Sequence, residues 1–201
     1  MMGFNVHERV YATHPFCFSD NHFDSKDIKK IRKYCDLFGL DTAKVGADSV
    51  GQENNNIRQS QIRFFNPNDN NGWIFKKMRD GIQHLNDNYY QFDLTGFDHI
   101  QYTEYNNSGS KYDFHMDMFT GLNIDKNLTR KLSGVLFLSD AEEYTGGEFQ
   151  IMEGGPDSIT TVPQKAGRLI VFPSYMIHRV APVLSGVRRS LVVWCVGPKF
   201  K

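Results

Sequence analysis

From about residue 98 onward the chain is a succession of short runs rich in Val, Ile, Leu, Phe and Tyr, and this limits the folds open to it. The runs are 98–105, 132–138, 147–152, 168–173, 179–184 and 189–196. Turn-forming stretches separate them: NNSG, EEYTGG, EGGPDS, PQKAG and LSG. Many short strands at this spacing, with no helical periodicity between them, predict an antiparallel sandwich or barrel.

The first half has a different character. After Asp24 and Ser25, either of which can cap a helix, apolar residues fall at Ile28, Ile31, Tyr34, Cys35 and Phe38, with Gly39 as the expected stop. A second stripe, Ile74, Met78, Ile82, Leu85 and Tyr89, predicts a helix from about Trp73 to Tyr90 with charged residues opposite. Residues 41–57 between them are polar, with two glycines and three consecutive asparagines. That stretch reads either as a lid or binding loop or as a plain surface connection. The expected architecture is mainly β, with helical support over about 1–96 and a β core over about 97–201. The 201 residues suffice for one core, so the expectation is one domain across the chain.

Charge and cysteine content narrow the partners and the setting. Lys+Arg and Asp+Glu both number 23, which argues against broad nucleic-acid binding. Cys17, Cys35 and Cys195 are widely spaced and form no C-x-x-C pair, so neither a disulfide framework nor a zinc–cysteine site is expected. The start MMGFNVHERV lacks the pattern of a signal peptide, and no stretch approaches the ~18 apolar residues of a membrane span. A soluble, cytoplasmic protein is the expectation.

The chemistry is carried by two segments. Segment 112–119 reads YDFHMDMF, and on a strand His115 and Asp117, two apart, point to one face. A neutral imidazole and a carboxylate aimed into one space make two-thirds of a facial metal site. His178 lies in FPSYMIHRVAPVLSGVRRSLVVW, with Arg188 ten residues beyond it across a turn at Gly186. If 179–184 and 189–196 form a hairpin, the turn returns Arg188 toward the same sheet. Two histidines and one carboxylate leave three cis positions on an octahedral metal, as in non-haem iron(II) oxygenases. Two of them suit the 1-carboxylate and keto oxygen of 2-oxoglutarate and the third O2. A guanidinium fork suits the far carboxylate, and Arg188 is the candidate.

Here the sequence resembles the prolyl 4-hydroxylase branch of the 2-oxoglutarate/iron(II) oxygenases, over roughly residues 56–196. HRVAPVLSGVR, from His178 to Arg188, carries most of the resemblance, with IRQS at 57–60, RKLS at 130–133, GGEF at 146–149 and GRLIVFP at 167–173 in support. The resemblance implies a double-stranded β-helix (a jelly-roll, cupin-like barrel) buttressed by α-helices. It implies His115, Asp117 and His178 as iron ligands, Arg188 as the 2-oxoglutarate anchor and Tyr105 as a hydrogen-bond donor to the cosubstrate. Tyr112, Arg130, Trp194 and Arg58 match positions toward the substrate. The implied cofactors are Fe(II), 2-oxoglutarate and O2, with ascorbate as a candidate reductant. The implied reaction is hydroxylation of an unactivated C–H bond with release of succinate and CO2, on proline in a protein or peptide. Collagen-type prolyl hydroxylases often carry lysine where this chain has Arg188, which loosens the inference about substrate.

Other readings stay open at this point. The same chemistry can act on a free amino acid, a small metabolite or a nucleobase, since family likeness is weak evidence about substrate. A cupin-like barrel can bind metal without catalysis, and a zinc hydrolase also uses three protein ligands plus water. Neither of those two accounts for Arg188. The other histidines, His7, His14, His22, His84 and His99, have no motif around them and read as structural or exposed.

Overall fold

In the structure, a computed structural model, residues 14–45, 53–97, 99–118 and 127–200 are described. Their elements run β1 (Cys17–Ser19), α1 (Ser25–Cys35), β2 (Asp41–Thr42), β3 (Arg58–Gln59), β4 (Gln61–Phe65), α2 (Gly72–Leu85), β5 (Ile100–Tyr105), β6 (Lys111–His115), β7 (Leu128–Phe137), β8 (Tyr144–Gly146), β9 (Phe149–Met152), β10 (Ile159–Val162), β11 (Leu169–Pro173), β12 (Ile177–Val180), β13 (Val183–Gly186) and β14 (Arg188–Pro198). A seven-stranded sheet has the order β1-β11-β7-β14-β5-β4-β2, and a five-stranded sheet the order β10-β9-β12-β6-β3. Strands β8 and β13 pair as a separate ribbon. All the pairings are antiparallel. The molecule is mainly β, a jelly-roll with helices against one of its sheets.

The runs look unbroken because the larger sheet is buried on both faces. Along β11, Leu169 and Val171 join the core under the helices while Ile170 and Phe172 join the core between the sheets. Strand β7 does the same with Leu132 and Leu136 on one side and Val135 and Phe137 on the other. In β14, Leu191, Val193 and Cys195 face the helices, and Val192 packs into the inter-sheet core. Successive side chains alternate faces, so a strand covered twice needs apolar residues at both parities.

The helices cover the outer face. Asp24 caps α1, its carboxylate accepting from the backbone N–H of Lys26 and Asp27 at 2.8 Å each, and Asp27 accepts in return from the Asp24 N–H. The helix buries Ile28, Ile31 and Cys35, and α2 buries Ile74, Met78, Ile82 and Leu85. Helix α2 lies so close to β7 that a Cβ on Gly134 would stand 2.9 Å from Cδ1 of Ile82. Only glycine leaves that space.

Several expectations are corrected. Helix α1 ends at Cys35, capped by Asp36, before Gly39 is reached. Helix α2 ends at Leu85 and continues as a π-helical turn, Asn86–Tyr90, closed by Gln91 at φ 54°. The Asn86 side chain stops it, exchanging two hydrogen bonds with the backbone of Phe92. The first 96 residues are not purely helical support: β1, β2, β3 and β4 join the two sheets. Run 179–184 is broken at Ala181-Pro182, because proline has no N–H for a ladder, into β12 and β13. The supposed hairpin with 189–196 is absent, since β12 and β14 lie in different sheets. Of loop 41–57, the expected lid or surface connection, Asp41–Thr42 pairs with β4, and residues 46–52 lie outside the described residues. No helix among the described residues is long and apolar enough to cross a membrane.

Candidate metal centre

The metal-ligand motif is assembled by one strand pairing. His178 of β12 and His115 of β6 are direct cross-strand partners, with a register shift before Val180 meets Tyr112. Partners in an antiparallel pair present side chains to the same face. His115 is the last residue of β6 and Asp117 follows just beyond it, so the expected single strand across both does not form. Asp117 is instead aimed by its backbone: its N–H and that of Met118 donate to the Ser174 carbonyl at 3.0 and 2.9 Å.

The three side chains converge. Nε2 of His115 lies 3.7 Å from Oδ1 of Asp117, and Nε2 of His178 lies 3.5 Å from Oδ2. One ligand atom from each falls within 4.8 Å of the others. Nδ1 of His115 donates to the Asp113 carbonyl at 2.7 Å, and Nδ1 of His178 to the Met176 carbonyl at 3.0 Å. A carbonyl can only accept, so Nδ1 carries the proton and Nε2 offers its lone pair to the centre. Burial, and then the neighbouring His178, hold the His115 imidazole neutral by pushing its pKa down to about 3. Burial alone would raise the Asp117 pKa. The two histidines and the Ser133 hydroxyl outweigh it, and the carboxylate stays ionised below its usual range. Two imidazoles and one carboxylate on one side of a cavity fit a divalent transition metal.

Arg188 occupies the next position inward. It is 2% exposed, and its direct partner across the β14–β5 pairing is Tyr105. Its guanidinium carbon lies 5.4 Å from the Tyr105 ring and 5.3 Å from the Phe137 ring. Among the described residues Nε and Nη2 have no hydrogen-bond partner; Nη1 lies 3.5 Å from Ser190 Oγ, and the Tyr144 phenol also interacts with the side chain. A buried cation with two orphaned donors is costly unless an anion completes it. The fork therefore fits the far carboxylate of a dicarboxylic acid. Burial keeps the Tyr105 phenol protonated, with its pKa raised, so it stays a hydrogen-bond donor. Arg188 does reach the inter-sheet space, though from the opposite sheet to His178.

The remaining predicted residues surround the centre. Tyr112 stacks on His115 with ring centroids 3.5 Å apart at 15°. Arg58, on β3 opposite Tyr112, lies over the Tyr112 ring at 4.5 Å. Arg130 donates to the Asp117 carbonyl at 3.3 Å and lies 4.4 Å over the Trp194 ring. Trp194 is half-buried, its enclosed indole N–H without a partner among the described residues. Of the other histidines, His22 meets the Lys77 carbonyl, His14 the edge of Tyr89, and His99 the rings of Phe64 and Trp194. His84 is exposed, and His7 lies outside the described residues.

Sequence reasoning missed two serines. Ser133 Oγ donates to Oδ2 of Asp117 at 2.7 Å and lies 3.0 Å from Ser174 Oγ. Both are completely buried. The available signal was a small hydroxyl within the β7 run and another just past the end of β11, which is faint.

Comparison with known proteins agrees with this geometry. Residues 100–196 match the 2OG-Fe(II) oxygenase superfamily. A PKHD-type hydroxylase of Shewanella baltica is 38% identical over 87 residues, 43% of this chain and 38% of that protein. The chain thus matches well under half the length of such curated relatives. The solved structure of a Pseudomonas putida prolyl-4-hydroxylase superposes with a TM-score of 0.71 at 22% identity, covering 94% of this chain and 95% of that one. A prolyl hydroxylase of Trichoplax adhaerens, solved with a peptide fragment of hypoxia inducible factor, gives 0.71 at 16% identity, covering 91% and 84%. Residues 100–196 are thus similar to the 2OG-Fe(II) oxygenase superfamily, and the chain shares the fold of the solved prolyl 4-hydroxylases.

Proposed function

We propose that this protein is an iron(II)- and 2-oxoglutarate-dependent oxygenase that hydroxylates an unactivated C–H bond, on a prolyl residue of a protein or peptide. The observation that carries the reading is Arg188, a buried guanidinium with unused donors behind a His–Asp–His cluster. A metal-binding module without catalysis has no use for it. Iron(II) with bound 2-oxoglutarate supplies the activation of O2 and the oxidation of the C–H bond, with succinate and CO2 as coproducts.

The protein's own part is to hold, orient and exclude. His115, Asp117 and His178 would hold the metal from one side and leave the other side to exogenous ligands. Arg188 receives the distal carboxylate in a bidentate pair, and Tyr105 donates to the cosubstrate from the facing strand. Phe149 and Phe172, with ring centroids 5.6 and 4.7 Å from that of His178, wall that side against water. Tyr112, Arg130, Trp194 and Arg58 form the substrate side. Orientation of one C–H bond against the reactive centre is worth several orders of magnitude in rate.

We take the chain to act as one domain, with ascorbate as reductant. The three cysteines are free thiols buried in the core, which supports a reducing compartment, the cytoplasm. The test is anaerobic addition of 2-oxoglutarate to the iron(II)-loaded protein. A weak visible charge-transfer band, lost in His178→Ala, is the expected result. Iron binding without a band at saturating 2-oxoglutarate would overturn the reading in favour of a metal-binding module.

A further inference from the structure

Two buried arginines near the His–Asp–His cluster, Arg188 and Arg58, form no ion pair among the described residues, and the cosubstrate accounts for only one. Arg58 is 7% exposed. Its Nε donates to Ser60 Oγ at 3.0 Å, and its guanidinium carbon lies over the Tyr112 ring. Among the described residues it forms no ion pair, and Ser60 is its one hydrogen-bond acceptor. The acid nearest in sequence to its stacking partner, Asp113, is taken by Lys111 at 2.9 Å. A guanidinium withdrawn this far from water without a carboxylate is an expensive arrangement for stability alone. A guanidinium is a planar fork that matches a carboxylate in two parallel bonds.

Its position says what would bring that carboxylate. Tyr112 bridges Arg58 to the metal ligand: the guanidinium carbon is 4.5 Å from the Tyr112 ring, and that ring is 3.5 Å from the ring of His115. These two contacts place the Arg58 guanidinium one aromatic ring away from His115. Arg188, by contrast, reaches the cavity from the other sheet beside Tyr105. One dicarboxylate held at the metal and at Arg188 leaves Arg58 unmatched.

We propose that Arg58 is a specificity residue that binds a substrate carboxylate next to the carbon being oxidised. This rests on the oxygenase reading above and deepens it. The substrate is an anionic prolyl compound: either a proline with a free carboxylate, as at a chain terminus, or a proline beside an acidic residue. An uncharged prolyl segment within a chain is the poorer ligand.

Isothermal titration of the anaerobic iron(II)–2-oxoglutarate protein tests this with three probes: N-acetyl-L-proline, its amide, and N-acetyl-glutamyl-prolinamide. The expected result is that one carboxylate-bearing probe binds roughly 10- to 100-fold more tightly than the simple amide, the scale of a charged hydrogen-bonded pair. Which one does so identifies the source of the anion. Arg58→Gln erases the difference, and Arg58→Lys, which keeps the charge without the fork, restores part of it. The visible band on adding 2-oxoglutarate is the internal control in every variant and reports an intact site. If the band forms and the amide binds as well as the acids, or none binds, the proposal is wrong and the oxygenase reading survives. A preference that persists in Arg58→Gln assigns the carboxylate to the metal and also overturns it. A wild type without the band sinks the underlying reading instead.

Discussion

The Ser133 hydroxyl donates to Oδ2 of Asp117 at 2.7 Å from a position with no exposure to solvent. Ser133 sits on β7 in the larger sheet, whereas Asp117 follows a strand of the smaller one. The contact therefore spans the two sheets and fixes the rotation of the carboxylate. In Ser133→Ala the carboxylate loses this partner and turns more freely. Metal affinity is expected to fall about 10- to 100-fold, the usual cost of losing an outer partner of a ligand. A cobalt(II) or iron(II) titration measures it, and an unchanged dissociation constant would refute the role.

Arg188→Met separates binding from stability. The variant removes a buried charge whose Nε and Nη2 have no partner. Without cosubstrate it should be as stable as the wild type or more so, by up to about 4 kcal/mol. It should also lose the rise in melting temperature that 2-oxoglutarate and metal give the wild type. Urea denaturation and thermal melts with and without cosubstrate read both effects. A large loss of stability in the cosubstrate-free variant would mean that Arg188 serves the core.

Gly134→Val should destabilise by about 1–3 kcal/mol through overpacking. The added Cβ would meet Ile82 Cδ1 at 2.9 Å and Val193 Cγ2 at 3.1 Å, and both belong to the core under the helices. Pairing it with Ile82→Ala should recover part of the loss, because the second change opens the space the first one fills. Additive losses in the double variant would argue against the contact.

Asp20 gives a defined pH signature. The Arg168 guanidinium, at 2.7 and 2.8 Å, holds its carboxyl below the ordinary range. A folded pKa below the unfolded value of about 3.9 means the unfolded chain takes up the proton first. The stabilisation is present above that value and fades as the pH falls through the folded pKa. Asp20→Asn should cost at most about 1 kcal/mol near neutrality, with the gap to the wild type closing below about pH 4. Parallel denaturation curves at pH 7 and pH 3 check this, and a gap that widens in acid would contradict the assignment.

The residues of the candidate centre were legible in the sequence because the chemistry is specific to residue type. His115, Asp117, His178 and Arg188 have few substitutes, and the motif around the last two is dense. Strands β7, β11 and β14 were legible because both their faces are apolar. The short strands β1 to β4 were not, since Asp41–Thr42 and Arg58–Gln59 are two residues each and carry no period to detect. Pro182 marks the break between β12 and β13, but the apolar residues on either side of it mask the signal. Ser133 and Ser174 were hidden for another reason: the meaning of a serine lies in which carboxylate it faces, and that is set only when the two sheets close.

The register shift between His178 and Val180 makes the centre sensitive to chain length. Tyr112 pairs with Val180 and His115 with His178, so the chain between them is one residue longer on one strand than on the other. Adding or removing a single residue there would carry one imidazole to the wrong side of its strand. Every ligand would still be present in the sequence, and the motif would still be recognised by eye. For related chains, conserved spacing between residues 112 and 115 and between 178 and 180 is thus a stricter criterion of a working site than the letters themselves.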